Sequence, residues 1–299
     1  MTSRGKLIAT VTCGLVIAGI ALLLLKVNEG TANADTALIA SPPTTARALR
    51  ANPSPSPEFA SGMRNAGRSL DFESASDLKL FLDQISQEAK NGDADAQWWS
   101  HKTFEYCKGF SRNPAQFSQG TESLAAGLPK DLALSFQNAR NRVRNRCRNI
   151  TPEETPSEAT LLRMIEQSAR SGNLAAQASL ISMDTRSEAS DEDIRRVTER
   201  IRNTGDPQAY LAISSAMGIA SSGRADVFGN VSGTDFATYA WQLAACRRGL
   251  DCGPNSAIMT SYCANGGICG RFTDLRDLVL NGLAPRQDAK RIEELASRL

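Results

Sequence analysis

Nineteen consecutive residues, Leu7 to Leu25, carry no charged side chain. A run of that length suits one backbone in a bilayer. A helix satisfies its own N–H and C=O groups and needs about 20 residues to cross. Arg4 and Lys6 precede the run. Positive charge on that flank keeps the N-terminus in the cytoplasm and exports the chain beyond Lys26. The sequence therefore predicts a signal-anchor transmembrane segment over 1–26, single pass in an inner membrane, with the C-terminal part in the periplasm. The alternative is cleavage near Ala34 and release to the periplasm, because Ala32-Asn33-Ala34 has the small-x-small pattern of a signal peptidase site. Against cleavage, Lys26 and Glu29 lie between the run and that site, and the run exceeds the roughly 7 to 15 residues of a signal core. Cys13 is no lipid-attachment cysteine, since Thr10-Val11-Thr12 does not form a lipobox.

Residues 27–70 predict a flexible tether. Pro42-Pro43, Pro53, Pro55 and Pro57 are mixed with Ser, Thr, Ala and Asn, and large apolar residues are few. Such composition stays extended and solvated. Residues 71–299 predict an exported all-α domain. Aromatic residues make up only 6 % of the chain, too few for an array of strands. Leu78, Phe81, Leu82 and Ile85 recur at three- and four-residue steps behind Ser76 or Asp77, which predicts a capped helix ending at Asn91-Gly92. Further helices are predicted at 93–108, 129–148, 156–171, 173–184, 189–204, 206–218, 234–248, 254–264, 272–281 and 286–298. The Gly- and Ser-rich stretch 219–233 is a candidate sub-boundary. Lys and Arg number 34 against 32 Asp and Glu, and three of the positives flank the apolar run. The exported part is thus nearly neutral and offers no global field for nucleic acid.

One short pattern recurs. Ala89-Lys90-Asn91-Gly92-Asp93-Ala94-Asp95-Ala96-Gln97 returns as Ala169-Arg170-Ser171-Gly172-Asn173-Leu174-Ala175-Ala176-Gln177, and more loosely as Asn203-Thr204-Gly205-Asp206-Pro207-Gln208-Ala209. Each copy ends one helix on a glycine and caps the next with Asp or Asn, and small Ala residues permit close contact. On this A-x-x-G-[DN]-x-x-A-Q turn the chain resembles the Sel1-like and tetratricopeptide-type helical repeats. The resemblance implies an irregular α-solenoid of stacked helical hairpins and a role in protein–protein interaction.

Six cysteines lie beyond the apolar run, an even number in an oxidising compartment, which predicts three disulfides. Cys246 falls at the end of one predicted helix and Cys252 before the next, so the two are neighbours in a hairpin. Cys263 lies about 16 Å from Cys252 along that helix, beyond bridging distance. This geometry favours Cys246–Cys252 and Cys263–Cys269, leaving Cys107–Cys147. The spacings do not match zinc knuckles, and no Cys-x-x-Cys is present.

The single histidine, His101, sits on a predicted helix without a nucleophile elbow nearby, and its expected place is a helix surface or a partly buried site. No catalytic residue, cofactor or metal ligand is assigned. The interaction candidates are Trp98 and Trp99, one expected in the core and the other at a contact surface, and Arg140, Arg144 and Arg148, which share one helix face. The competing expectation for those arginines is pairing with Glu153, Glu154 and Glu158. The expected partners are the membrane, through the first helix, and an envelope protein. The competing expectations are a cell-wall-directed hydrolase that uses paired carboxylates among Glu88, Asp93, Asp95 and Glu105, and a structural envelope protein without a discrete ligand.

Overall fold

Helix caps set the frame of this molecule. The computed structural model describes residues 57–183, 190–270 and 272–299, with side chains from residue 65 onward. The apolar run, Cys13, the Ala32–Ala34 motif and most of the expected tether lie outside the described residues. Among the described residues the fold is all-α and no strand occurs. No helix there is long and apolar enough to cross a membrane.

The order is α1 (Pro57–Ser74), α2 (Leu78–Lys90), α3 (Ala94–Ser111), α4 (Pro114–Ala126) and α5 (Lys130–Cys147), then α6 (Glu158–Arg170), α7 (Leu174–Met183), α8 (Asp191–Thr204) and α9 (Pro207–Ile213). A short α10 (Ala225–Phe228) precedes α11 (Asp235–Arg247), α12 (Ala257–Ala264), α13 (Leu275–Leu278) and α14 (Ala289–Arg298). Packing runs in sequence from α2 to α3, α6, α7, α9, α11 and α14. The α4–α5 hairpin is inserted beside this series, with α5 against α3 and α12.

The helix turns share one construction. Asp77, Ser157 and Ser190 cap the starts of α2, α6 and α8 by accepting from the backbone N–H of Lys79, Thr160 and Asp193. Each cap stands fifteen residues before a glycine of positive φ, namely Gly92, Gly172 and Gly205. Side chains rarely adopt that backbone, so glycine ends each helix. The residue after each glycine, Asp93, Asn173 or Asp206, caps the following helix.

Alanine then sets the spacing. Ala175, Ala176, Ala178, Ala209, Ala237, Ala240, Ala244 and Ala245 are fully buried, which lets α7, α9 and α11 approach closely. Around them one apolar cluster extends from Phe72 to Leu299, with Trp99, Tyr210 and Trp241 among its largest members. Stretch 219–233 folds onto this core rather than separating two parts. Val227 and Phe228 are buried, the Val231 carbonyl accepts from Trp241 Nε1, and Gly233 N donates to Ser221 Oγ.

Two helices depart from the sequence expectation. Residues 57–70 belong to α1 rather than to a tether. From residue 65 the inward face of α1 is mostly polar: Asn65, Arg68 and Ser69 are buried, with Phe72 the apolar member. Trp99 Nε1 donates to Asn65 Oδ1 at 2.7 Å, and Asn65 Nδ2 donates to Asp206 Oδ2 at 3.0 Å. Arg68 donates to Asp93, at 2.8 Å, and to Glu88. Polar groups can be buried this way only because each has a partner. The second departure is α4, capped by Asn113 with Pro114 in its first turn. It buries only Phe117 and Ala125, too few to show a helical period.

Candidate functional site

A groove with a mainly apolar lining lies where α2, α3 and α6 meet the loop after α5. Its volume is about 510 Å³. Leu82, Ala89, Phe104, Ile150 and Met164 give it an apolar lining. Lys79, Asp83, Lys90 and Glu154 supply two positive and two negative charges. Lys79 Nζ bridges Asp83 Oδ1 at 2.5 Å and Glu154 Oε1 at 3.3 Å. The Thr151 backbone N–H is the main cause that holds the Glu154 carboxyl below its ordinary range, with Lys79 adding to it. A carboxylate so held is ionised and supplies no proton.

At one point of this lining sits Gln97. It is 6 % exposed, and its Nε2 donates to the Ala89 carbonyl at 3.2 Å. Its Oε1 is buried with no hydrogen-bond partner. The next copy of the turn makes the same bond, Gln177 Nε2 to the Ala169 carbonyl at 3.1 Å. There, however, the amide oxygen accepts from Arg200 Nη1 of α8 at 3.3 Å. An unpaired buried acceptor costs about 1–3 kcal/mol, so the difference between the two copies is energetically real.

The other sequence candidates divide sharply. Trp98 and Trp99 are both buried, at 2 % and 1 % exposure, so neither marks a contact surface. Trp99 packs with Phe72 and Phe81, and Trp98 with His101. Consecutive residues on a helix point about 100° apart, and here α3 is covered on both sides, by α2 and α5 and by α6. His101 is buried as well, and its pKa falls to about 3. Burial is the main cause, and the positive charges of Lys102 and Lys108 add to it.

Arg140 also turns inward. Its guanidinium stacks 3.5 Å from the Phe117 ring centroid and donates to Thr121 Oγ1 and to the Phe117 and Ala264 carbonyls. Burial lowers its pKa. Arg144 and Arg148 are exposed. Neither Glu154 nor Glu158, two of the expected acidic partners, goes to this helix. Glu154 meets Lys79, and Glu158 meets Lys108 and Arg112. Unforeseen in the sequence, Arg146 donates to the Phe72 and Ala75 carbonyls and ties α5 to the end of α1.

The carboxylates of the hydrolase alternative serve the framework. Arg68 takes Glu88 and Asp93, Asn173 Nδ2 donates to Asp95, and Lys108 holds Glu105. A smaller pocket of about 290 Å³ is lined by Glu73, Trp99, Lys102, Glu105, Tyr106 and Gln208, among others. Burial raises the Glu73 carboxyl and lowers the Lys102 ammonium. Glu73 Oε2 accepts from the Ala257 backbone N–H at 2.9 Å, so it seats the start of α12.

The six cysteines beyond the apolar run are all bridged, as Cys107–Cys147, Cys246–Cys252 and Cys263–Cys269. The first ties α3 to the end of α5. No cluster of three or more metal-ligating side chains occurs among the described residues. No family model, curated protein or solved structure matches the chain.

Proposed function

We propose that this chain is a scaffold for protein–protein interaction, an irregular α-solenoid of stacked helical hairpins held at a membrane by its N-terminal apolar helix. The repeated turn supports the stacking part of this reading. Gly92 and Gly172 terminate helices in the same way, and Gln97 and Gln177 return the same bond across each turn. Stacked units of this kind expose a groove along the seam between neighbours.

The observation that carries the reading is the groove between α2, α3 and α6, with an apolar lining, a charged margin and one unsatisfied acceptor. Such a surface suits a polypeptide segment, which offers apolar side chains and donors together. Chemistry is disfavoured at the same place, because Lys79 pairs with both Asp83 and Glu154, Glu154 is held ionised, and hydrolysis between two carboxyls needs a protonated one.

The test is affinity capture with the full-length protein from native membranes, beside a Ser100→Trp variant. Ser100 is half-buried and lines the groove, so an indole there fills part of its volume. The reading predicts a reproducible envelope protein with the native chain and its loss with the variant, at unchanged circular dichroism. Equal capture by both overturns it.

A further inference from the structure

We propose that the groove between α2, α3 and α6 receives an arginine side chain of a partner polypeptide, with its guanidinium donating to Gln97 Oε1. This deepens, and rests on, the reading of the groove as a protein-binding surface. The molecule holds a second copy of the same junction in which an arginine fills this place. Counted from the turn glycine, Gln97 and Gln177 occupy the same position after Gly92 and Gly172. Each returns its Nε2 to the carbonyl of an alanine eight residues back. The same bond holds both amides, and in the second copy it leaves Oε1 facing the following hairpin.

At the second junction that hairpin supplies Arg200, five residues before Gly205, and its Nη1 meets Gln177 Oε1 at 3.3 Å. The corresponding residue at the first junction, five before Gly172, is Gln167. Gln167 lines the groove and makes no such bond, and Gln97 Oε1 stays unpartnered. A third junction repeats the theme in another form. Tyr210 takes the glutamine's position after Gly205, and the Arg248 guanidinium lies 4.2 Å from its ring centroid. Arginine thus covers this position at two junctions, and at the first the groove is left where the arginine would be.

The surroundings suit a guanidinium. Phe104 offers a ring, and arginine is the cation that most often stacks on one. Lys79 occupies Oδ1 of Asp83 and Oε1 of Glu154, so its own charge is compensated by two carboxylates. Lys90 balances the second negative charge, and the groove is neutral overall rather than repulsive to a cation. A buried amide oxygen is a better partner for a planar, weakly hydrated guanidinium than for an ammonium, whose desolvation costs more. The apolar side chains beside that arginine would face Leu82, Ile150 and Met164.

The test uses the full-length protein in lipid nanodiscs with nitrogen-15 in its glutamine side chains. The probes are acetylated, amidated pentapeptides Ser-Leu-X-Leu-Ser, in which X is arginine, citrulline, lysine or glutamate. The proposal expects the arginine peptide to shift the Gln97 side-chain amide signals. Citrulline, of the same shape without the charge, should bind at least tenfold more weakly. Gln167→Arg, which fills the site from α6, should abolish the shift and raise the thermal midpoint. A Gln97→Leu variant, lacking the acceptor, should also lose arginine selectivity.

The proposal is overturned if no peptide shifts Gln97 up to about 1 mM, a weak limit of about −4 kcal/mol. It is equally overturned if glutamate or lysine binds as well as arginine, or if Gln167→Arg leaves binding intact. The two readings fail separately. If Ser100→Trp loses a captured partner while arginine shows no preference, the scaffold reading stands and the arginine site falls. If capture is indifferent to Ser100→Trp, the groove reading itself falls.

Discussion

Removing the Cys107–Cys147 bridge should cost this protein more than removing either of its other two. The bridge joins residues 40 apart in sequence, whereas Cys246–Cys252 and Cys263–Cys269 each join residues six apart. Loop-closure entropy scales with the logarithm of the closed length. It gives about 4 kcal/mol for the long loop and about 2 kcal/mol for each short one. Burial widens the gap, because Cys107 and Cys147 are fully buried, whereas Cys246 and Cys252 are half-exposed. The α4–α5 hairpin lies inside the long loop, so its release also frees the seat of Arg146 on α1. The assay is urea unfolding of Cys107→Ala/Cys147→Ala beside Cys246→Ala/Cys252→Ala, each checked by mass for the remaining bridges. The long-loop variant should lose about 2 kcal/mol more. Equal losses, or a larger loss from Cys246→Ala/Cys252→Ala, would refute this ordering.

Two further outcomes rest on particular residues. His101 is neutral in the fold, with a pKa near 3 against an ordinary value of 6.5. Below pH 6.5 the unfolded chain gains a proton that the folded chain refuses, so stability falls as pH drops from 6.5 towards 3, by up to about 1.4 kcal/mol per pH unit. Urea midpoints at pH 7 and pH 5 should therefore diverge in the native protein and draw together in His101→Phe. Gly172 and Gly67 should respond oppositely to alanine. Gly172 has φ +102°, and Gly172→Ala should lose about 1–2 kcal/mol through backbone strain alone, since nothing lies within 4 Å of the added carbon. Gly67 is helical with open space around it, and Gly67→Ala should gain about 0.5–1 kcal/mol in thermal or urea unfolding.

Most of the longer helices were legible in the sequence, from an apolar period or from their capped turns, whereas α1 and α4 were not. α2 shows its period through Leu78, Phe81, Leu82 and Ile85, all buried. The described inward face of α1 is mostly polar, and its partners lie on α2, α3 and the α8–α9 turn, far away in sequence. A local period cannot show a face recognised by hydrogen bonds. The cysteine pairing was legible because it depends on distances along predicted helices. The aromatic and basic candidates mislead for one reason. Trp98, Trp99 and Arg140 stand out as single conspicuous residues, yet large side chains also make good core pieces: Trp99 and Arg140 satisfy their polar ends inside the fold, while Trp98 is buried with its Nε1 unpartnered. The groove draws on α2, α3, α6 and a loop, so no contiguous stretch announces it. A signal did exist. Aligning the turns on Gly92, Gly172 and Gly205 sets Gln97 beside Gln177 and exposes Gln167 where Arg200 stands.

The most direct test of the scaffold account is site-specific photocrosslinking in native membranes. A photoreactive side chain placed at Ser100, inside the groove, is compared with one at Asn138, on an exposed face of α5. The account predicts one discrete protein adduct from position 100 that Gln167→Arg suppresses, and none of that mass from position 138. The same adduct from both positions, or none from position 100 in cells that express the protein naturally, would contradict it.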